Sequence, residues 1–171
     1  MNTEPRQRYE AVPGRNAAII NRPQTIVLLL QRAKNPVFVV GSCATPEEAR
    51  LVARLAGSAG CPVVATSTAV RSFRAGGLPC IPMPAMEISA RLADPSWSIG
   101  SKEPPHDLVV MFGVPFVISS VIESGLKSFS PHLRVVSLDR YYHPHCYLSF
   151  PTIPEDQWLI QMEAILKEAV G

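Results

Sequence analysis

Apolar residues in this chain follow two alternating rhythms: stripes at helical spacing, and short runs with no polar residue inside them. Ile26, Val27, Leu30 and Ala33, behind Pro23, predict a helix over 23–34 that Asn35-Pro36 ends. Val37-Phe38-Val39-Val40 then runs unbroken into Gly41, as a strand covered on both faces does. Thr45-Pro46-Glu47-Glu48 opens the next helix with an N-cap hydroxyl, a proline at the first helical position and two carboxylates at the positive end of the dipole. Glu48 stands three residues after Thr45, the spacing of a capping box. Leu51, Val52, Leu55 and Ala56 form the buried stripe of this helix, and Gly57 or Gly60 closes it. Pro62-Val63-Val64-Ala65 is a second short strand, so 36–65 reads as a βαβ unit with a parallel pair and a right-handed crossover.

The same alternation continues to the end. A helix is expected over 68–75, stopped by Gly76-Gly77. The prolines at 79, 82 and 84 allow a short edge strand at most in 78–84. Ala85–Leu92 reads as a short helix ended by Asp94-Pro95, and 96–105 as a polar loop carrying Trp97. Asp107–Gly113 repeats the buried-strand pattern, and Pro115 opens a helix expected to bury Val117, Ile118, Val121, Ile122 and Leu126. Leu133–Asp139 is the last clear strand; 140–154 reads as coil. A final helix over 155–169 is expected to bury Trp158, Leu159, Met162, Ile165 and Leu166. Residues 1–22, polar and interrupted by Pro5, Pro13 and Gly14, read as an N-terminal arm that orders against a partner, with 23–171 as a single α/β domain. The pattern predicts a Rossmann-like three-layer sandwich around a mostly parallel sheet.

Composition adjusts this picture in three ways. The 17 prolines among 171 residues are about twice the usual share, which argues for fixed turns and against an all-helical bundle. A net charge of +2 gives no electrostatic case for nucleic-acid binding, although the basic residues gather early, in Arg6, Arg8, Arg15, Arg22, Arg32 and Lys34. No apolar run approaches the ~18 residues of a membrane span, and Met1–Arg6 has no secretory h-region. Cys43, Cys61, Cys80 and Cys146 form no CxxC, so reduced thiols in a cytoplasmic protein are the expectation.

Ligands of such sheets bind beyond the carboxyl ends of the strands, where strand order reverses. Two strand-to-helix turns stand there as cofactor-binding candidates: Gly41-Ser42-Cys43 and Gly113-Val114-Pro115-Phe116. Their backbone N–H groups could face a phosphate and Phe116 could stack on a ring, yet neither turn is GxGxxG or a P-loop. Both also read as plain turn geometry. Cys43 at a helix start reads as a small packed side chain rather than a nucleophile, and Cys61 and Cys80 as core residues. The segment Asp139-Arg140-Tyr141-Tyr142-His143-Pro144-His145-Cys146 is the densest in aromatic, Arg and His side chains. Its spacing fits no established metal site, and the residue types suit a partner interface through Arg140, Tyr141, Tyr142, His143 and His145, or packing of the coil over the sheet. His106 and His132 read as surface residues. No Ser-His-Asp order, paired carboxylates or HExxH appears.

Leu92-Ala93-Asp94-Pro95-Ser96-Trp97, His106 through Gly113, Leu126 through Arg134, Val136 through Pro144 and Leu148-Ser149-Phe150-Pro151 form an ordered series. This series resembles the epsilon subunit of the archaeal acetyl-CoA decarbonylase/synthase complex, along essentially the whole chain. The Asp-Arg-Tyr-Tyr-His-Pro string and the later Ser-Phe-Pro carry most of the specificity. The resemblance implies a deoxyhypusine-synthase-like NAD/FAD-binding fold. It implies pairing with the large nickel–iron–sulfur CO dehydrogenase alpha subunit in an α2ε2 component, alongside the other subunits of the complex, and a role in passing electrons towards FAD. It also implies that the nickel and iron–sulfur clusters belong to the alpha subunit, and it supplies no catalytic residue. Cys146, where that family leads one to expect a small residue such as Ala, departs from the pattern. The function expected is that of an accessory, non-catalytic subunit. The competing expectation is a stand-alone flavin- or nicotinamide-dependent enzyme using the strand-end crevice.

Overall fold

The computed structural model describes residues 16–101 and 104–170. Strands β1 (Ala18–Ile19), β2 (Pro36–Val40), β3 (Val63–Ala65), β4 (Ile81–Pro82), β5 (Leu108–Phe112), β6 (Arg134–Ser137) and β7 (Leu148–Ser149) make one sheet in the order β1-β7-β6-β5-β2-β3-β4. Every pair is parallel. From β2 the chain works outward through β3 and β4, then returns to β5 and works outward the other way. The order therefore reverses between β2 and β5, which is where Rossmann-type sheets open their crevice.

Among the described residues six α-helices cover the sheet: α1 (Pro23–Arg32), α2 (Pro46–Ser58), α3 (Ala69–Ala75), α4 (Ala85–Ala93), α5 (Phe116–Phe129) and α6 (Glu155–Val170). Strand side chains alternate in direction, so β2 sends Phe38 and Val40 into one core and Val37 and Val39 into the other. The first core packs against α1, α2, α3 and α6, with Trp158 of α6 stacked on Phe112 at 5.3 Å. The second packs against α4 and α5 through Ile88, Leu92, Ile122 and Leu126. This is the three-layer α/β sandwich expected from the pattern. The capping box forms as read: Glu48 N–H donates to Thr45 Oγ1 at 3.3 Å and Thr45 N–H to Glu48 Oε2 at 2.7 Å.

Four expectations need correction. The expected arm before Asn16 lies outside the described residues. Its remainder joins the sheet as β1, held by Ile20 N–H to Ser149 O at 2.9 Å, with Ala17 and Ile20 buried. A two-residue strand is too short to give a periodicity. The expected coil after β6 contains β7. Leu159 of α6 is half-exposed rather than buried. On α5, Val117 and Val121 face solvent at 75% and 61% exposure, with Ile118 also exposed, while Ser119, Ser120, Ile122, Glu123 and Leu126 point inward. Apolar residues surround this helix, so spacing alone could not fix which face is inside.

Candidate functional site

At the reversal point the two turns are knitted to each other. Gly41 N–H donates to Phe112 O at 2.8 Å and Cys43 N–H to Gly113 O at 2.7 Å. A Cβ on Gly41 would lie 2.3 Å from both Gly113 O and Val114 Cα. Gly113 holds φ +66°, and a Cβ there would lie 2.8 Å from Ala44 N. Only glycine permits this approach. Gly113 N–H donates to Asp139 Oδ1 at 2.7 Å, Ala44 N–H to Gly41 O at 3.3 Å, and Thr45 N–H is taken by Glu48. The amides of Gly41, Cys43, Ala44, Thr45 and Gly113 are thus engaged inside the protein, with the Asp139 carboxylate directly behind Gly113.

The candidate residues therefore separate. Gly41, Gly113 and Val114 are buried in the joint; Cys43 is exposed, contrary to the packed side chain expected. Ser42 and Pro115 border a crevice of about 420 Å³ together with Thr66, Ser67, Met83 and Ile118. Ser67, at φ 49°, is the one non-glycine residue with positive φ among the described residues. Phe116 leans on the His143 ring with centroids 5.0 Å apart.

Beneath α5 lies a cluster that no sequence spacing announced. His143 Nδ1 is 2.9 Å from Glu123 Oε1, and its Nε2 is 3.4 Å from Asp139 Oδ2, so one imidazole bridges two carboxyl groups from different elements. Ser119 Oγ donates to Glu123 Oε1. Glu123 is wholly buried and His143 is 1% exposed. Burial pushes the Asp139 carboxyl up to about 6, against the opposing pull of the His143 charge and the Gly113 N–H. Burial alone would lower His143; its hydrogen bond to Glu123 and the charges of Glu123 and Asp139 outweigh that, and the imidazolium is favoured. Burial, then Glu123, raises the Cys146 thiol far above its ordinary range, so it stays protonated. Burial likewise pushes Cys61 up to about 11. Glu123 carried one faint signal, a lone acid on a helix face with Ser119 and Ser120 one turn before it.

The interface expectation narrows accordingly. Tyr142, His143 and His145 are buried within the chain. Tyr142 Oη donates to Ala17 O at 2.8 Å, and His143 N–H donates to Ser149 Oγ at 3.0 Å. Packing of the coil over the sheet is what these side chains do. Only Arg140, half-buried, and Tyr141, exposed, present surface, with the guanidinium 4.8 Å above the ring. His106 is also buried, not superficial: Ile99 N–H donates to its Nε2 at 3.1 Å and its Nδ1 is 2.8 Å from Asn35 O. Among the described residues no group of three His, Cys, Asp or Glu side chains is arranged to hold a metal ion. No helix among them is long and apolar enough to cross a membrane.

Comparison with known proteins places this geometry. The family model described as CO dehydrogenase beta subunit/acetyl-CoA synthase epsilon subunit matches residues 1–166. The chain belongs to this family. A relative from Methanothermobacter thermautotrophicus, named acetyl-CoA decarbonylase/synthase complex subunit epsilon, is 30% identical over 158 residues, covering 92% of this chain and 91% of its own. Epsilon subunits of the same name from Methanothrix soehngenii and Methanocaldococcus jannaschii are 26% and 23% identical, over 85% and 93% of this chain and 81% and 94% of theirs. All three relatives carry the name of a subunit of the acetyl-CoA decarbonylase/synthase complex.

Proposed function

We propose that this epsilon-family chain acts as a non-catalytic subunit that docks on the nickel–iron–sulfur CO dehydrogenase alpha subunit, with the outer face of α5 as the docking surface. One observation carries the reading. From Phe116 to Leu126 the only charged residue of α5 is Glu123, which is buried, so the exposed face presents Phe116, Val117, Ile118 and Val121 with no charge among them. Exposed Met86 lies on α4, which packs against α5. Apolar surface of this kind on a subunit of a complex is where a partner gains most from excluding water. In this reading the nickel and iron–sulfur clusters belong to the partner, and the chain holds no flavin at the Gly41 and Gly113 turns. Any passage of electrons towards FAD is then a property of the assembly. Capture of the alpha subunit by the purified chain tests the proposal: wild type forms a complex on gel filtration, and the folded Val117→Glu/Val121→Glu variant does not.

A further inference from the structure

The Glu123–His143–Asp139 cluster is placed to affect the surface above it. Glu123 comes from the inward face of α5, within two turns of Val117, Ile118 and Val121 on the outward face. Asp139 comes from the carboxyl end of β6 and holds the Gly113 turn that leads into α5. His143 comes from the coil between β6 and β7 and also carries the ring against which Phe116 rests. A single imidazole thus joins the start of α5, its middle, and the sheet.

With both ring nitrogens protonated, each faces one carboxyl group and the three elements are tied by opposite charges at low dielectric. Removing one ring proton leaves one carboxylate facing an imidazole that no longer attracts it, and two like charges share a buried space. The charged and titratable groups around the ring are Glu123 from α5, Asp139 from β6, and Cys146 and His145 from the same coil, with Lys127 of α5 acting on Cys146. Burial and the Glu123 side chain keep the Cys146 thiol protonated, so it adds no charge of its own.

We propose that the Glu123–His143–Asp139 bridge is a proton-operated latch for the docking face, holding α5 in its docking-competent position while the imidazole is doubly protonated and loosening it when one proton leaves. The regulatory part rests on the docking surface proposed above; the latch itself rests only on the buried bridge. The direction follows from both groups. The Glu123 and Asp139 carboxylates favour the doubly protonated ring, so the face is firmest while His143 holds both protons and loosens as pH rises through its titration.

Three measurements on the full-length chain test this. Nitrogen NMR shifts of His143 report its protonation, amide hydrogen exchange reports opening of α5, and titration with the alpha subunit reports affinity, all between about pH 6 and about pH 9. The latch predicts a doubly protonated His143 at neutral pH. It predicts faster α5 exchange as the ring deprotonates, and affinity that falls across the range with a slope of at most about tenfold per pH unit, the limit for one linked proton. Glu123→Gln, which keeps the side-chain shape, is expected to bind with a flattened pH profile. A singly protonated His143 at neutral pH, or α5 exchange that ignores its titration, overturns the latch in wild type even if the variant fails to fold. Identical pH slopes for wild type and a folded Glu123→Gln also overturn it. If α5 exchange follows His143 but the alpha subunit does not bind at any pH, the docking surface is refuted and the latch is retained.

Discussion

Gly41→Ala is the sharpest perturbation of the joint between the two halves of the sheet. The new methyl would sit 2.3 Å from Gly113 O and from Val114 Cα, both backbone atoms that cannot rotate away. Ordinary contact begins near 3.4 Å, so the turns must part by about 1 Å. That movement strains the bonds from Gly41 N–H to Phe112 O, at 2.8 Å, and from Cys43 N–H to Gly113 O, at 2.7 Å. A buried polar group left unpaired costs about 1–3 kcal/mol, so losing both bonds costs about 2–6 kcal/mol. That is a large share of the roughly 5–15 kcal/mol by which domains are stable. Gly57→Ala is the internal control: Gly57 is an exposed position of α2 with nothing within 4 Å of a Cβ, and the change should stabilise by up to about 1 kcal/mol. Urea unfolding by circular dichroism separates the two, with a much lower midpoint for Gly41→Ala and an equal or higher one for Gly57→Ala. A Gly41→Ala protein with the wild-type midpoint would show that the turns are free to separate, and the proposal that no flavin sits at them would lose its support.

Three further outcomes follow from the same geometry. Asp139 ionises near 6 in the folded chain against 3.8 for the free side chain, so its contribution is fully present below about pH 4 and is lost as pH rises through about 6. The difference amounts to about 3 kcal/mol, and Asp139→Asn should flatten urea midpoints across that window; an unchanged slope would refute it. His106→Ala leaves Ile99 N–H and the Asn35 carbonyl without their partner, which should cost about 2–4 kcal/mol in thermal unfolding; a shift within error would contradict the bridging role. Burial holds His106 below its ordinary value, so the stability it supplies should be lost on acidification, opposite in sign to His143, and a His106→Gln profile that matches wild type at low pH would refute this.

Much of the fold was legible because local chemistry and tertiary packing agree there. The Val37–Val40 and Leu108–Phe112 runs are buried on both faces, and Thr45 with Glu48 caps α2 by the spacing alone. The family could be reached from the Asp139–Pro144 string, but the position of that string in the fold could not. Its aromatic and histidine residues match interface composition, yet Tyr142 and His143 are drawn inward by Ala17 and Glu123, which lie 125 and 20 residues away in sequence. No local pattern records such pairings. The same holds for His106, which bridges Asn35 and Ile99 across the amino end of the sheet. On α5 the ambiguity was of another kind. Phe116, Val117, Ile118, Val121 and Ile122 offer more apolar surface than one core can take, and the residues left outside are the ones assigned here to docking.

The most direct test of the account is calorimetric titration of the purified alpha subunit into wild type and into Val117→Glu/Val121→Glu, with circular dichroism confirming that the variant is folded. Saturable binding by wild type, weakened by at least about 2 kcal/mol in the variant, is the predicted result. Equal affinity for the two proteins would place the partner on some other surface and contradict the central claim.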